Sequence, residues 1–149
     1  MSKAIVEMTV CQLGEKLRKR EISAVQAVQA YLEQIENKDG AIGAYLTVTA
    51  EQALKAAHKA DERLASGEGT PLTGIPVGIK DNICTRGVAT TCASKMLEGF
   101  VPPYNAHVIE RLEEKQTVLL GKLNMDEFAM GGTTENSYFQ VTRNPRNLS

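Results

Sequence analysis

The sequence lacks an excess of charge of either sign. Its 17 lysines and arginines and 18 aspartates and glutamates give a formal net charge of −1 over 149 residues. The two signs are interspersed, so the chain has no basic face of the kind with which nucleic-acid-binding domains contact phosphates. The composition therefore argues against unaided binding to a phosphate backbone.

Long apolar runs are also missing. Residues 1–7 do not form an apolar segment flanked by positive charge and a cleavage site, and no stretch approaches the roughly 20 apolar residues that cross a bilayer. We therefore expect a cytoplasmic protein. With 42% hydrophobic and 23% charged residues, the chain has the composition of a globular protein and is long enough for one sizeable core.

Cysteine is scarce, and the three cysteines are Cys11, Cys84 and Cys92. An odd number without C-x-x-C spacing argues against a disulfide framework and against a zinc site. We expect reduced thiols that pack as small apolar side chains. His58 has no second ligand nearby and is interpreted as a surface or packing histidine, so no metal site is expected.

Capping patterns and apolar spacing predict helices and a strand in the first half of the chain. Thr9 with Gln12 and Ser23 with Gln26 fit the capping box that starts a helix. The second helix is expected to stop at residues 37–40. Alternation then predicts a half-exposed strand over 42–49, and an alanine-rich pattern predicts a helix over 50–65.

The stretch 74–82 reads as a short buried strand that ends in Lys80 and Asp81. Ligands of open α/β sheets bind beyond the carboxyl ends of the strands, which makes Lys80 a candidate functional residue. A lysine in this position is also an ordinary solvated end of a strand. Position alone leaves both interpretations open.

A phosphate-binding loop is excluded in this stretch by spacing. Such a loop has four residues between its glycines, with lysine directly after the second and Ser or Thr behind it. Here three residues separate Gly74 from Gly78, Ile79 precedes Lys80, and Asp81 would repel phosphate. A lysine in a partly dry site can instead become neutral and accept a proton from a serine hydroxyl.

The segment after Gly121 is expected to emerge at the same edge of the sheet as Lys80. A helix over about 105–115 and a strand over 117–121 complete a parallel strand-helix-strand unit of right-handed connection. The small and hydroxyl residues of 85–94 can line a site closely.

The segment after Gly121 allows two interpretations. Asn124 with Glu127 fits the start of a short helix, and Gly131-Gly132 would let the backbone approach a ligand. Alternatively, the side chains of this segment plug the end of the sheet and the glycine pair only ends the helix. The side chains concerned are Met125, Phe128 and Met130.

Four blocks together resemble the amidase signature family: 74–82, 90–94, 124–131 and 144–145. Their order makes the resemblance specific, and it extends over essentially the whole chain. Within the family it is strongest to the A subunits of bacterial tRNA-dependent amidotransferases. It implies an α/β fold with a mixed, largely parallel sheet flanked by helices, of which residues 1–149 form the amino-terminal part of a single amidase domain.

The resemblance also implies a serine amidohydrolase with a Ser-cisSer-Lys triad. Lys80 matches the catalytic lysine, which takes the proton relayed through the bridging serine, and Met125 matches a position at the substrate pocket. Both serines and the oxyanion donors belong to a glycine- and serine-rich region after residue 149, so Ser149 is not the bridging serine and the chain alone is expected to be inactive. Arg146 departs from the family, where an aromatic residue follows Asn-Pro.

The implied reaction is hydrolysis of glutamine to supply ammonia for converting Glu-tRNA(Gln) to Gln-tRNA(Gln). Subunits B and C would be the partners, tRNA would bind through the partner, and ATP and Mg²⁺ would belong to the partner subunit, with no cofactor or metal in this chain. A stand-alone amidase for another small amide is the alternative enzyme. A non-catalytic folding or assembly module is the alternative outside catalysis.

Overall fold

The structure, a computed structural model, describes residues 2–148, so Met1 and Ser149 lie outside the described residues. Within that range it is a mixed α/β fold with two additional 3₁₀ turns. The helices are α1 Ser2–Val6, α2 Val10–Arg18, α3 Ala24–Ile42, α4 Ala50–Ala65 and α5 His107–Glu114. The strands are β1 Tyr45–Val48, β2 Pro76–Lys80 and β3 Val118–Leu123, and the 3₁₀ turns are Lys95–Leu97 and Glu127–Ala129. Across residues 2–148 no helix combines the length and the apolar character that a membrane span requires.

The chain folds as two compact units, each assembled from three segments. The first unit comprises Met1–Ile35, Thr49–Val77 and Arg111–Leu120. The second comprises Glu36–Val48, Gly78–Glu110 and Gly121–Ser149. Helix α3 and strands β2 and β3 contribute residues to both units.

Both predicted capping boxes are present in the first unit. The Gln12 amide donates to Thr9 Oγ1 at 3.2 Å, and the Thr9 amide donates to Gln12 Oε1 at 2.9 Å. Ser23 and Gln26 make the same reciprocal pair, with both bonds 3.0 Å long. These bonds satisfy amides that have no partner inside the helix, which is why α2 and α3 begin where the sequence predicts.

The core of the first unit is made of small and branched apolar side chains on α2, α3 and α4. Its fully buried members include Leu13, Leu17, Ala27, Val28, Ala53, Ala57 and Ala60. Helix α4 has the predicted bounds, and its Asp61 accepts the amides of Ala24 at 2.6 Å and Val25 at 3.2 Å. A carboxylate at the start of α3 is favourable because it binds unpaired amides and complements the helix dipole. His58 is exposed, so of the two predicted alternatives it is a surface histidine and not a packing one.

Helix α3 does not stop at residues 37–40 as the sequence predicts, but continues to Ile42. A glycine inside a helix costs only about 1 kcal/mol, so Gly40 does not end it. The turn comes at Gly43, whose φ is +71° and whose amide donates to the carbonyl of Asp39 at 2.6 Å. The Asp39 carboxylate then accepts the amides of Ala44 at 2.8 Å and Tyr45 at 3.1 Å. The following strand is therefore shorter than predicted and begins at Tyr45.

The three strands form one sheet in the order β1-β3-β2. Strand β1 is antiparallel to β3, with Thr47 opposite Lys122 and an irregularity before it. Strands β2 and β3 are parallel, because their bonding partners advance together: the Val118 amide donates to Ile75 at 2.9 Å, and the Asp81 amide donates to Leu123 at 3.0 Å. The predicted second strand is thus present and extends two residues beyond Gly121.

Gly121 is required where β3 passes β1. Its φ is +157°, and a Cβ built there would lie 2.1 Å from the carbonyl oxygen of Thr47. No side chain fits at that distance, so the pairing of these strands depends on glycine at this position.

Candidate active site

Lys80 lies at the C-terminal end of β2 between two buried neighbours. Ile79 is 7% exposed and Asp81 is 1% exposed, whereas Lys80 is exposed. The alternation follows from the strand, in which successive side chains point to opposite faces. The expected dry surroundings of the Lys80 amine are therefore not formed by residues 2–148, and its catalytic role stays a prediction.

The buried lysine of the second unit is Lys122 on β3, which no motif in the sequence marks. Its side chain is fully buried, and its Nζ donates to Thr90 Oγ1 at 2.7 Å and to the carbonyl of Ile83 at 2.9 Å. Nζ also lies 3.5 Å from Asp81 Oδ1. Burial lowers the pKa of Lys122, and the Asp81 carboxylate opposes this shift.

Asp81 binds the segment that was expected to line the site. Its Oδ2 accepts the amide of Thr91 at 2.9 Å and the hydroxyl of Thr91 at 2.5 Å. Its backbone carbonyl accepts the amide of Cys92 at 3.1 Å. Asp81 is therefore directed to the interior of the unit and away from the exposed side chain of Lys80.

The segment 85–94 is irregular, as predicted, and its four hydroxyl residues are all buried. They are Thr85, Thr90, Thr91 and Ser94. Ser94 Oγ donates to Glu127 Oε1 at 2.5 Å, which joins this segment to the turn that follows β3. The segment thus contributes buried hydrogen-bonding groups and a tie to the next loop.

The prediction of a short helix after Asn124 is wrong. A 3₁₀ turn covers Glu127–Ala129, and Phe128 has a φ of 51°, outside the helical region. Asn124 does not cap it, because its Oδ1 accepts the hydroxyl of Ser137 at 2.7 Å, while its Nδ2 donates to the carbonyl of Gln140 at 2.8 Å and to Thr142 Oγ1 at 2.9 Å. Contacts with residues distant in sequence therefore replace the local cap.

A family model described as Amidase matches residues 26–149 of this sequence. The chain belongs to the amidase family. Its curated relatives include two proteins that are named as the A subunit of glutamyl-tRNA(Gln) amidotransferase. The one from Thermoanaerobacter pseudethanolicus is 52% identical over 145 residues, which cover 97% of this chain and 30% of the relative. The one from Desulfatibacillum aliphaticivorans is 54% identical over 146 residues, which cover 98% and 30%.

The same fold is found in a solved structure. A chain from "An unexpected vestigial protein complex reveals the evolutionary origins of an s-triazine catabolic enzyme" superimposes with a TM-score of 0.90 at 36% identity, over 95% of this chain and 31% of that one. The sequence resemblance to the amidase family is therefore confirmed, and so is the mixed α/β fold. This chain spans about 30% of the length of the two curated relatives named above.

Met125, the predicted pocket residue of this amidase chain, is 3% exposed. Of the three side chains that could plug the end of the sheet it alone is buried, since Phe128 is 45% exposed and Met130 is 79% exposed. A Cβ on Gly131 would lie 2.6 Å from Asp126 Oδ1, so this glycine is explained by packing inside the turn. The substrate-binding role of Met125 stays a prediction.

Within residues 2–148 the three thiols of the amidase chain form no disulfide, but they differ in their surroundings. Cys11 is exposed, so the expectation that every cysteine packs in the interior is wrong for it. Cys84 Sγ donates to the Tyr104 hydroxyl at 3.8 Å. Burial and then the Asp81 carboxylate raise the pKa of Cys92, so this thiol stays protonated near neutral pH.

Proposed function

We propose that this chain is part of the A subunit of a glutamine-dependent amidotransferase and supplies the lysine of its Ser-cisSer-Lys site. The single observation that carries the proposal is the 52% identity, over 97% of this chain, to a relative named as the A subunit of glutamyl-tRNA(Gln) amidotransferase. Lys80 has a position that suits this role, because its side chain is exposed at the C-terminal end of β2 while Asp81 beside it is buried and paired. An amine in that position can be contacted by the serines that another part of an amidase domain would supply.

The proposed chemistry is hydrolysis of the glutamine carboxamide through an acyl-enzyme. A serine hydroxyl attacks the amide carbon, and its proton passes through a second serine to the neutral amine of Lys80. The proton then leaves with ammonia, and water hydrolyses the ester that remains. Both serines would come from outside this chain, so we expect the 149-residue chain alone to show no glutaminase turnover.

Met125 has a structural part in this proposal. Because it is buried two residues after the end of β3, its side chain would support the pocket wall from the interior of the unit. Phe128 and Met130 in the same turn are more exposed, so their side chains are available to contact other parts of the proposed enzyme.

The names of the relatives support an amidotransferase of several subunits, and we propose its partners on that basis. Subunits B and C would complete the enzyme, and the ammonia would be used to convert Glu-tRNA(Gln) to Gln-tRNA(Gln). A net charge of −1 supports a division of labour in which tRNA, ATP and Mg²⁺ bind to the partner subunit. We place this enzyme in the cytoplasm.

The test uses a full-length chimera in which residues 1–149 of this chain replace the matching part of the Thermoanaerobacter pseudethanolicus relative. We expect glutaminase turnover that rises when subunits B and C are added. Lys80→Ala and Lys80→Arg should each abolish it, because arginine keeps the charge but cannot become neutral. Lys59→Ala on the exposed face of α4 is the matched control and should retain full turnover.

Two results would contradict the proposal. Normal turnover in a folded Lys80→Ala chimera would remove the catalytic assignment. Full activity on small amides that is indifferent to subunits B and C would favour the stand-alone amidase.

A further inference from the structure

Asp81 holds three consecutive residues of the segment that follows β2. Its Oδ2 accepts the amide and the hydroxyl of Thr91, and its backbone carbonyl accepts the amide of Cys92. The amide of Ala93 donates to Thr91 Oγ1 at 3.1 Å and also lies 3.5 Å from Asp81 Oδ2. One residue, directly next to Lys80 in sequence, therefore fixes residues 91–93 against the end of the strand.

Lys122 is the counter-ion of this arrangement. A buried carboxylate is costly unless it is paired, and among residues 2–148 Asp81 Oδ1 has no hydrogen-bond donor of its own. Lys122 Nζ stands 3.5 Å from that oxygen and uses its hydrogen bonds to hold Thr90 and Ile83. The pair thus secures both sides of the segment 83–93.

The residues held by Asp81 have an unfavourable backbone conformation. Cys92 and Ala93 both have φ of 52°, in the left-handed region that favours glycine. Such strain persists only where the surrounding contacts over-determine it, and it is concentrated at functional sites. The carbonyls of the same two residues accept the amides of Phe128 at 3.0 Å and Tyr138 at 2.9 Å. The strained pair is therefore also the support of the turn after β3.

We propose that Asp81, with Lys122 as its counter-ion, is a positioning residue that sets the place of Lys80 relative to the segment 90–94 and the turn 127–129. This inference rests on the proposed function. Asp81 acts through the backbone, since its carboxylate is engaged by Thr91 and Lys122 and leaves the amine of Lys80 unpaired by its neighbour. The lysine that accepts the proton and the loops that surround it are thereby held by one buried pair.

The first measurement is hydrogen exchange on the full-length chimera, read by mass spectrometry over residues 90–94. Thr91→Val keeps the shape of the side chain but removes the hydroxyl that Asp81 binds, whereas Thr91→Ser retains it. We expect exchange of this segment to accelerate about tenfold or more in Thr91→Val and in Asp81→Asn, and to stay near the original rate in Thr91→Ser. Exchange in α4 should not change.

The second measurement is glutaminase turnover of the same variants, with kcat expressed per active site from the burst of acyl-enzyme. Displacement of Lys80 should lower kcat of Thr91→Val about 10- to 100-fold with KM within about twofold, and Thr91→Ser should restore it. A merely structural role would reduce the number of active sites but not the turnover of each one.

The outcomes separate the two proposals. Unchanged exchange in Thr91→Val and Asp81→Asn would show that Asp81 does not hold the segment 90–94, and would overturn the inference whatever the activity. Faster exchange with unchanged kcat per site would overturn its role in catalysis. An inactive but folded unsubstituted chimera, or an active Lys80→Ala chimera, would count against the proposed function and with it against a positioning role, while the exchange result would still show whether Asp81 holds the segment.

Discussion

Different interactions stabilise the interior of each of the two units. In the first, alanine, leucine and valine side chains of three helices pack into a core, and hydrogen-bonding side chains act mainly at helix ends. In the second, long irregular segments are fixed by a few polar side chains that bind backbone groups. These side chains are Asp39, Asp81, Asn124, Asp126 and Gln140.

The difference shows why the candidate site lies in the second unit. Irregular segments lack the regular backbone hydrogen bonds of a helix, so side chains supply a larger share of the partners for their backbone groups. Each such side chain fixes the loop it binds in one position. A unit built in this way can place Lys80, the segment 90–94 and the turn 127–129 with the accuracy that catalysis needs.

Breaking the buried ion pair should have the largest effect on stability. Lys122→Met removes the cation and leaves the Asp81 carboxylate buried without a counter-ion, a change that costs about 3–5 kcal/mol in comparable pairs. Urea unfolding of the 149-residue chain measures it. We expect a midpoint well below that of the unsubstituted chain.

Two controls accompany this measurement. Lys59→Met on α4 should leave the midpoint unchanged. Burial lowers the pKa of Lys122 below its ordinary 10.5, so the unfolded chain binds this proton more strongly than the folded chain does. The contribution of Lys122 to the free energy of unfolding therefore rises with pH, from the lowered pKa up to about 10.5. That rise should vanish in Lys122→Met. Equal urea midpoints for Lys122→Met and the unsubstituted chain would show that the pair does not stabilise the second unit.

Removing apolar volume from the first unit should have the next largest effect. Leu17 is 1% exposed, and Leu17→Ala should cost about 3 kcal/mol because it leaves a cavity among packed helices. Val10→Ala in the same helix is the control, since Val10 is 56% exposed and its change should stay within about 0.5 kcal/mol. Similar urea midpoints for both variants would argue against the apolar core as the main stabilising force of this unit.

Removing one loop anchor of the second unit should have the smallest of the three effects. Asp39→Ala leaves the amides of Ala44 and Tyr45 without their acceptor, which should lower the free energy of unfolding by about 2 kcal/mol. Lys38→Ala, one residue earlier and exposed, should have almost no effect. If thermal unfolding does not distinguish the two variants, Asp39 is not the residue that fixes the end of α3.

How much could be predicted from the sequence depends on the distance between partners. The capping boxes and α4 were predictable because their determinants lie within one helix, and the family because four blocks occur in order. Lys122 was missed because Thr90 and Ile83, which it binds, are 32 and 39 residues away. The turn after β3 was predicted wrongly for the same reason, since the acceptors for Asn124 are 16 and 18 residues ahead of it.

Gly121 has a practical consequence for anyone who would redesign this edge of the sheet. Because the oxygen of Thr47 occupies the volume that any side chain would need, the position offers no room to tune geometry or polarity. A mutant library of β3 can vary the half-buried Leu119 and Leu123, but substitutions at position 121 should not yield folded variants. Gly121 thus limits which substitutions can be made in the strand next to Lys122.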